Sequence, residues 1–109
     1  MLAVPDLLAK VQELVANGEV RISDHGYDEL AEDGLTAREA VAGVFSGTKV
    51  EEYPDYPKGP SVLVLQVAGD GIAMHVVWGI PKGYDKPAVL VTAYTPDPTR
   101  WDESFLRRK

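Results

Sequence analysis

The sequence predicts an α+β fold in which three N-terminal helices pack on one face of a four-stranded, mainly antiparallel sheet. The spacing of apolar residues changes from helical to alternating after Gly47. The pair Asp70-Gly71 joins two alternating runs, which is typical of a tight hairpin. The chain has 109 residues, which is the size of one domain. Together these observations place the helices before the sheet in a single unit.

Composition excludes several kinds of protein and site. Hydrophobic residues make up 45% of the chain and charged residues 26%, as in ordinary globular proteins. The absence of cysteine excludes a disulfide framework, a thiolate zinc site and a thiol nucleophile. The apolar runs are strand-sized, and the first residues lack the basic region of a signal peptide. We therefore expect a cytoplasmic protein that does not associate with membranes.

The charge is unevenly distributed along the chain. Its net value is −6; residues 1–55 hold 4 basic and 12 acidic side chains, and residues 56–109 hold 7 basic and 5 acidic ones. An acidic chain disfavours tight non-specific binding of nucleic acid, because that affinity comes largely from Lys and Arg on phosphates. The basic C-terminal end is either a solvated tail or a local binding site for a short polyanion.

A single domain over residues 1–109 begins with a helix over residues 1–18. Pro5 and Asp6 suit a first helical turn, and Asn17-Gly18 supplies the left-handed end. The rest divides into a helix–helix–sheet core over residues 19–101 and a basic C-terminal tail over residues 102–109.

Two further helices follow a short extended piece over residues 20–22. Ser23 is a good N-cap for a helix over residues 24–33, which ends at Gly34. Thr36 and Glu39 form a capping box that starts a third helix, which stops at Gly47.

Four strands are predicted after the helices, over residues 50–53, 61–67, 72–80 and 88–94. Three prolines between residues 54 and 60 exclude a central strand there, since proline removes a donor from the ladder. This stretch is expected to be a stiff surface connection. Residues 81–87 form a second loop.

The predicted hairpin turn assigns each side chain of its two strands to a face. A two-residue turn at Asp70-Gly71 pairs Gln66 with His75. One face is then purely apolar and should lie under the helices; it comprises Leu63, Leu65, Val67, Met74, Val76 and Trp78. The opposite face carries Gln66 and His75. A slip of one residue would exchange the faces.

The last strand adds two polar residues to the face of His75. Its apolar set, Val89, Val91 and Ala93, should face the core, which leaves Thr92 and Tyr94 beside His75 and Gln66. An imidazole can exchange protons near neutral pH, and a phenol can orient or donate. The cluster is either an acid–base site or an ordinary half-exposed sheet face.

His25 and three loop cations are the remaining candidates. Asp28 and Glu29 can both reach His25 along the helix. Charge pairing at a helix start, a metal site, and a catalytic or RNA-facing histidine are the alternatives; no spacing supports a metal. Lys82 and Arg100, with Lys86, are the candidates for phosphate contact.

Five segments with specific spacing resemble a bacterial domain-of-unknown-function family (DUF4258), and that family looks like a relative of the RelE and BrnT toxins. They are Ile22-Ser23-Asp24-His25-Gly26, Gly34-Leu35-Thr36, Glu52-Tyr53-Pro54-Asp55, His75-Val76-Val77 and Val91-Thr92-Ala93-Tyr94-Thr95-Pro96-Asp97-Pro98 with Trp101. The resemblance implies a RelE/BrnT-like toxin fold, with helices on one sheet face and RNA facing the other.

Two functions follow as hypotheses, neither with a cofactor or a metal. The first is a toxin of a toxin–antitoxin pair that cleaves RNA, with His75, Tyr94 and His25 for acid–base work and Gln66, Lys82, Thr92 and Arg100 for substrate binding. The second is a non-catalytic protein-binding or regulatory module. It rests on the acidic first half and on Glu29 and Asp33, where many family members carry arginines. The expected partners are RNA or an antitoxin-like protein.

Overall fold

A computed structural model describes residues 6–68 and 71–109. Pro5 and the turn residue Asp70, both used in the sequence analysis, lie outside the described residues. Three helices, one 3-10 turn and five strands make up the fold. In chain order they are α1 (Leu7–Ala16), β1 (Val20–Ile22), α2 (Asp24–Glu32), α3 (Ala37–Ala42), the 3-10 turn (Gly43–Ser46), β2 (Thr48–Tyr53), β3 (Ser61–Val67), β4 (Ala73–Gly79) and β5 (Ala88–Tyr94).

The sheet has five strands in the order β1-β5-β4-β3-β2 and is mixed. β1 pairs parallel with β5, and the other pairings are antiparallel. The predicted RelE/BrnT-like arrangement of three helices on a four-stranded, mainly antiparallel sheet is therefore wrong. Residues 20–22 are too few to show an alternating pattern. They form a strand because they pair with β5, where Val20 lies opposite Ala88.

The β3–β4 hairpin has a longer loop than the predicted two-residue turn. Val67 pairs with Ala73, so residues 68–72 form the connection, and the amide of Ala68 donates to the carbonyl of Ile72 at 2.9 Å. His75 consequently lies opposite Leu65 instead of Gln66. This one-residue slip inverts the predicted faces of β3 and leaves those of β4 unchanged.

The core lies between the helices and one sheet face. Met74, Val76 and Trp78 face it as predicted, but β3 contributes Val62 and Val64. The predicted core positions Leu63, Leu65 and Val67 lie on the other side of the sheet, which we call the open face. The helices cover the core with Leu8, Val11, Val15, Leu30, Ala40 and Val44.

A bulge in β5 explains the second error of register. Leu90 pairs with Trp78 and Thr92 with Val77, so Val91 is an extra residue. Ala88 and Leu90 therefore join Ala93 in the core. Val89, predicted to face the core, lies opposite Gly79 on the open face, and the alternation resumes with Thr92 and Tyr94 beside His75.

The predicted helix caps are confirmed. Ser23 Oγ accepts from the amide of Gly26 at 2.9 Å, and Thr36 Oγ1 accepts from the amide of Glu39 at 3.1 Å. The third helix is shorter than predicted because its last turn tightens into the 3-10 turn.

Among the described residues, no helix has the length and apolar character needed to cross a membrane.

Candidate functional site: a basic cleft on the open face

A cleft of about 410 Å³ lies on the open face where β4 ends and β5 begins. Its floor follows one row of paired residues across the sheet: Ser61 lies opposite Gly79, Gly79 opposite Val89, and Val89 beside Arg21. The hollow depends on Gly79, since a Cβ there would lie 3.0 Å from Ser61 Oγ and 3.5 Å from Val91 Cγ2. The small residue leaves room for a ligand above the sheet.

The walls of the cleft are basic. Arg21 and His25 stand on one side, and Tyr56 and Lys58 come from the loop between β2 and β3. No carboxylate is among the residues that line the cleft. Within residues 6–68 and 71–109, neither Arg21 nor Lys58 has an ion pair, whereas Lys49, Lys86 and Arg108 each do. The cleft therefore holds uncompensated positive charge that suits an anion.

His25 belongs to a chain of hydrogen bonds that ends at the cleft. Its Nε2 lies 2.6 Å from Glu29 Oε1, and Thr92 Oγ1 donates to the same carboxylate. Because a carboxylate is an acceptor, Nε2 carries the hydrogen in this contact. In the neutral ring Nδ1 is then left as a proton acceptor, and the side chain is 71% exposed. Such an imidazole, held by a carboxylate, is suited to act as a base.

The first turn of α2 is anchored to the bulge in β5, which places His25 beside the cleft. Ser23 Oγ donates to the carbonyl of Val91 at 2.9 Å. At Gly26 a Cβ would lie 3.0 Å from Leu90 Cδ2, so α2 approaches β5 closely there. This close approach brings Glu29 within reach of Thr92.

The opposite wall is held by backbone hydrogen bonds. The amide of Gly59 donates to the carbonyl of Tyr56 at 2.9 Å, and the amide of Lys82 donates to the carbonyl of Lys58 at 2.9 Å. Gly59 has a φ of 132°, and a Cβ there would collide with the carbonyl of Ile80. Tyr56 and Lys58 are thus presented by a constrained loop.

His75 lies on the open face too, but the C-terminal segment, residues 95–109, covers it. Its ring is fully buried between Tyr94, at a centroid distance of 5.5 Å, and Trp101, at 4.5 Å. Nε2 lies 2.8 Å from the carbonyl of Phe105, and among the described residues Nδ1 has no partner. Burial lowers the pKa of His75, so the ring is held neutral, and burial raises the pKa of Tyr94.

Arg108 fastens the C-terminal segment to β2. Its guanidinium lies 4.7 Å from the centre of the Trp101 ring and donates to Glu51 at 2.9 Å. This hydrogen bond lowers the pKa of Glu51. The hydroxyl of Tyr53 also donates to Glu51, at 2.9 Å, and burial together with this bond raises the pKa of Tyr53 to about 12. The contacts around His75 are those of a structural anchor.

The predicted cluster is only partly assembled. His75 and Tyr94 touch, and Thr92 shares their face but bonds to Glu29. The expectation that Gln66 joins them is wrong, because the slip in the hairpin turns Gln66 toward the helices. There its Nε2 donates to the carbonyl of Ala40 at 2.6 Å, and its Oε1 accepts from Trp78 Nε1 at 2.9 Å.

The predicted phosphate contacts do not line the cleft. The side chains of Lys82 and Arg100 are not among those that line the cleft. Sequence reasoning missed Arg21, Tyr56 and Lys58, which do line it. Arg21 lies in a segment of three residues, which is too short to show an alternating pattern, so the sequence offered no clear signal for its place in the cleft.

The possibility of a metal site at His25 can be examined directly. Within the part of the chain that the structure describes, no three His, Asp or Glu side chains lie close enough together to hold a metal ion. His25 is paired with Glu29 and lies on the cleft wall.

Comparison with known proteins identifies a family. The family model "Domain of unknown function (DUF4258)" matches residues 22–95, about two thirds of the chain. The match includes His25, Glu29 and Thr92, with the cleft loop that carries Tyr56 and Lys58. Comparisons with curated proteins and with solved structures gave no match. The chain therefore belongs to the DUF4258 family.

Proposed function

We propose that the protein cleaves RNA in the basic cleft by acid–base chemistry, with His25 as the base. The observation that carries the proposal is the His25–Glu29 pair, which opens onto a cleft where Arg21 and Lys58 have no ionic partner among the described residues. A phosphodiester supplies the negative charge that these cations lack. RNA also supplies its own nucleophile, the ribose 2′-hydroxyl.

The reaction requires one proton acceptor close to the scissile phosphate. Nδ1 of His25 removes the proton from the 2′-hydroxyl, the 2′ oxygen forms a bond to phosphorus, and the bond from phosphorus to the 5′ oxygen breaks. Water at the open mouth of the cleft protonates the departing 5′ oxygen, and the imidazolium returns its proton to solvent. The products are a 2′,3′-cyclic phosphate and a free 5′-hydroxyl.

Glu29 and the two cations support this step in different ways. Glu29 orients the ring, keeps the hydrogen on Nε2 and stabilises the imidazolium that forms, so it is a positioning residue. Arg21 and Lys58 stabilise the negative charge that develops on the phosphate oxygens, because they stand in the cleft before the substrate arrives. Thr92, which donates to Glu29, holds the carboxylate in place.

The test uses the purified full chain and a labelled single-stranded RNA oligonucleotide, with a DNA oligonucleotide of the same sequence. We expect the parent to cleave the RNA to cyclic-phosphate ends and to leave the DNA intact. His25→Ala should slow cleavage by about 10² to 10⁴. Arg21→Ala and Lys58→Ala should each slow it, and Arg100→Ala is the matched cationic control. Intact RNA with the parent, or equal cleavage by His25→Ala, would overturn the proposal.

A second function is favoured by the outer surface of α2. Asp24, Asp28 and Glu32 are exposed there and have no ion pair among the described residues. A basic, antitoxin-like protein would find complementary charge on this helix. Induced expression in a bacterial host separates the two functions: growth arrest that requires His25 supports a toxin that cleaves RNA, and arrest that persists with His25→Ala supports protein binding.

A further inference from the structure

Three exposed tyrosines lie on or next to segments that line the cleft, and one of them, Tyr56, lines the cleft itself. Tyr27, Tyr56 and Tyr84 are 54%, 46% and 74% exposed, and each lies on a segment that contributes to the cleft or adjoins it. The other large exposed apolar side chains lie elsewhere: Phe45 is in the 3-10 turn, and Val67 and Ile72 are at the far end of the β3–β4 hairpin. Among the exposed large side chains of the described residues, Tyr56 is the one that lines the cleft.

Tyr56 lies at the cleft, and its hydroxyl makes no structural hydrogen bond within the described residues. It lines the cleft two residues before Lys58. Among the described residues its hydroxyl has no hydrogen-bond partner, whereas the hydroxyls of Ser23 and Ser61 donate to backbone carbonyls. The ring of Tyr56 is half exposed, and backbone hydrogen bonds constrain the loop that carries it. A flat ligand can therefore stack on the ring at little cost in conformational entropy.

Tyr84 stands on the neighbouring loop. The two loops are joined where the amide of Lys82 donates to the carbonyl of Lys58, and the amide of Tyr84 donates to the carbonyl of Pro81, itself a residue of the cleft. The loop thus turns back at Tyr84 beside the wall that carries Lys58. Two exposed rings stand on joined loops near the cations Arg21 and Lys58. Proteins that bind single-stranded nucleic acid combine aromatic stacking surfaces with a basic groove in this way.

We propose that the cleft binds a single-stranded segment of RNA, with the base next to the held phosphate stacked on Tyr56 and a further base on Tyr84. This inference rests on the proposed function for the identity of the nucleic acid. A duplex is excluded from such a site because its bases are already stacked and paired. An isolated phosphate or mononucleotide would use only part of the surface.

The consequence for affinity can be measured without cleavage. Base stacking on one aromatic ring contributes about 1–3 kcal/mol, so its loss should weaken binding by about fivefold to 150-fold. The probe is a fluorescently labelled 2′-O-methyl RNA oligonucleotide, single-stranded or annealed to its complement, because the methylated 2′ oxygen cannot attack. Fluorescence anisotropy gives Kd for the parent and each variant.

Tyr56→Leu should raise Kd for the single strand by about fivefold or more, and Tyr56→Phe, which keeps the ring, should change it less than about twofold. Tyr84→Leu should raise Kd by a smaller factor. Phe45→Leu removes an equally exposed ring outside the cleft and should have no effect. An abasic ribose-phosphate oligomer should bind weakly and should not distinguish Tyr56→Leu from the parent.

Two results would overturn the inference: equal affinity of Tyr56→Leu and the parent for the single strand, or tighter binding of the duplex than of the single strand. The proposed function fails in a different way. A parent that binds the single strand through Tyr56 but leaves ordinary RNA intact retains the stacking site and loses the catalytic role of His25.

Discussion

The two histidines lie in opposite settings, and the contrast separates a proposed catalytic role from a structural one. His25 is exposed at the wall of a basic cleft, bound to a carboxylate that fixes its tautomer. His75 is fully buried, lies between two aromatic rings and bonds to a backbone carbonyl. The lesson is that a polar cluster on a sheet face indicates chemistry only when the rest of the chain leaves that face open.

The open face itself shows how this difference arises. The row that contains Gly79 and Ser61 has small residues and lines the cleft, whereas the C-terminal segment covers the row that contains His75 and Tyr94. The ion pair of Arg108 and Glu51 holds the C-terminal segment in place, whereas the cations that line the cleft have no ion pair among the described residues. One surface therefore serves as a packing layer at one end and as a candidate site at the other.

The largest effect should come from truncating His75. His75→Ala leaves a cavity between Tyr94 and Trp101 and removes the partner of the Phe105 carbonyl, so we expect a loss of about 3 kcal/mol in the free energy of unfolding. His25→Ala is the control and should cost less than about 0.5 kcal/mol, since its side chain is exposed. Urea unfolding followed by circular dichroism measures both; equal losses would remove the contrast between the two histidines.

The next effect concerns the positioning of His25. Glu29→Gln cannot stabilise the imidazolium, and we expect RNA cleavage to slow by about tenfold to a hundredfold. Thr92→Val removes one hydrogen bond to the same carboxylate and should slow it less. The midpoint of urea unfolding should stay near that of the parent in Glu29→Gln, whereas a purely structural Glu29 would move the midpoint and leave the cleavage rate per folded molecule unchanged.

A smaller effect should appear in the pH dependence of stability. Burial lowers the pKa of His75 in the folded protein below the ordinary value of 6.5. The unfolded chain therefore takes up the proton first as the pH falls, and the folded state loses stability as the pH falls below about 6.5.

The matched control for this titration is His75→Leu, measured by urea unfolding at each pH. His25 is present in both proteins, so the difference between their curves reports His75 alone. Identical pH dependence in the parent and in His75→Leu would contradict the assignment of a buried neutral ring.

The smallest effect concerns the fastening of the C-terminal segment. Arg108→Ala loses an exposed ion pair to Glu51 and a contact with the Trp101 ring, which together contribute about 0.5–1 kcal/mol. Arg107→Ala, one residue away and without an ion pair among the described residues, should be neutral within error. Thermal unfolding of the two variants gives the comparison, and equal melting temperatures would show that Arg108 does not fasten the segment.

Short-range rules applied to the sequence predicted the helices and strands well, but they predicted the pairing register of the strands poorly. The caps at Ser23 and Thr36 and the core face of β4 follow from short-range rules, and they are confirmed. The face of β3 depended on the length of one loop, and a single residue of slip turned Gln66 from the open face into the core. The strand β1 is stabilised by a partner more than sixty residues away, which no local pattern reveals.

The candidate site shows the same division. His25 was recognised as a candidate, and its spacing to Glu29 correctly indicated their contact. The contact of Thr92 with that carboxylate and the grouping of Arg21 with Lys58 arise from the bulge at Val91 and from the parallel pairing of β1. Both are long-range features, so the residues were visible in the sequence and their arrangement was not.

Because the C-terminal segment covers His75, the choice of boundaries matters for any recombinant fragment of this protein. The family match ends at residue 95, whereas Trp101 and the Phe105 carbonyl, which close the aromatic layer, lie beyond it. A recombinant fragment cut to the aligned range would expose the rings of His75 and Tyr94 to solvent and would also lack the first helix. Its behaviour in solution would then reflect the missing cover and not the domain.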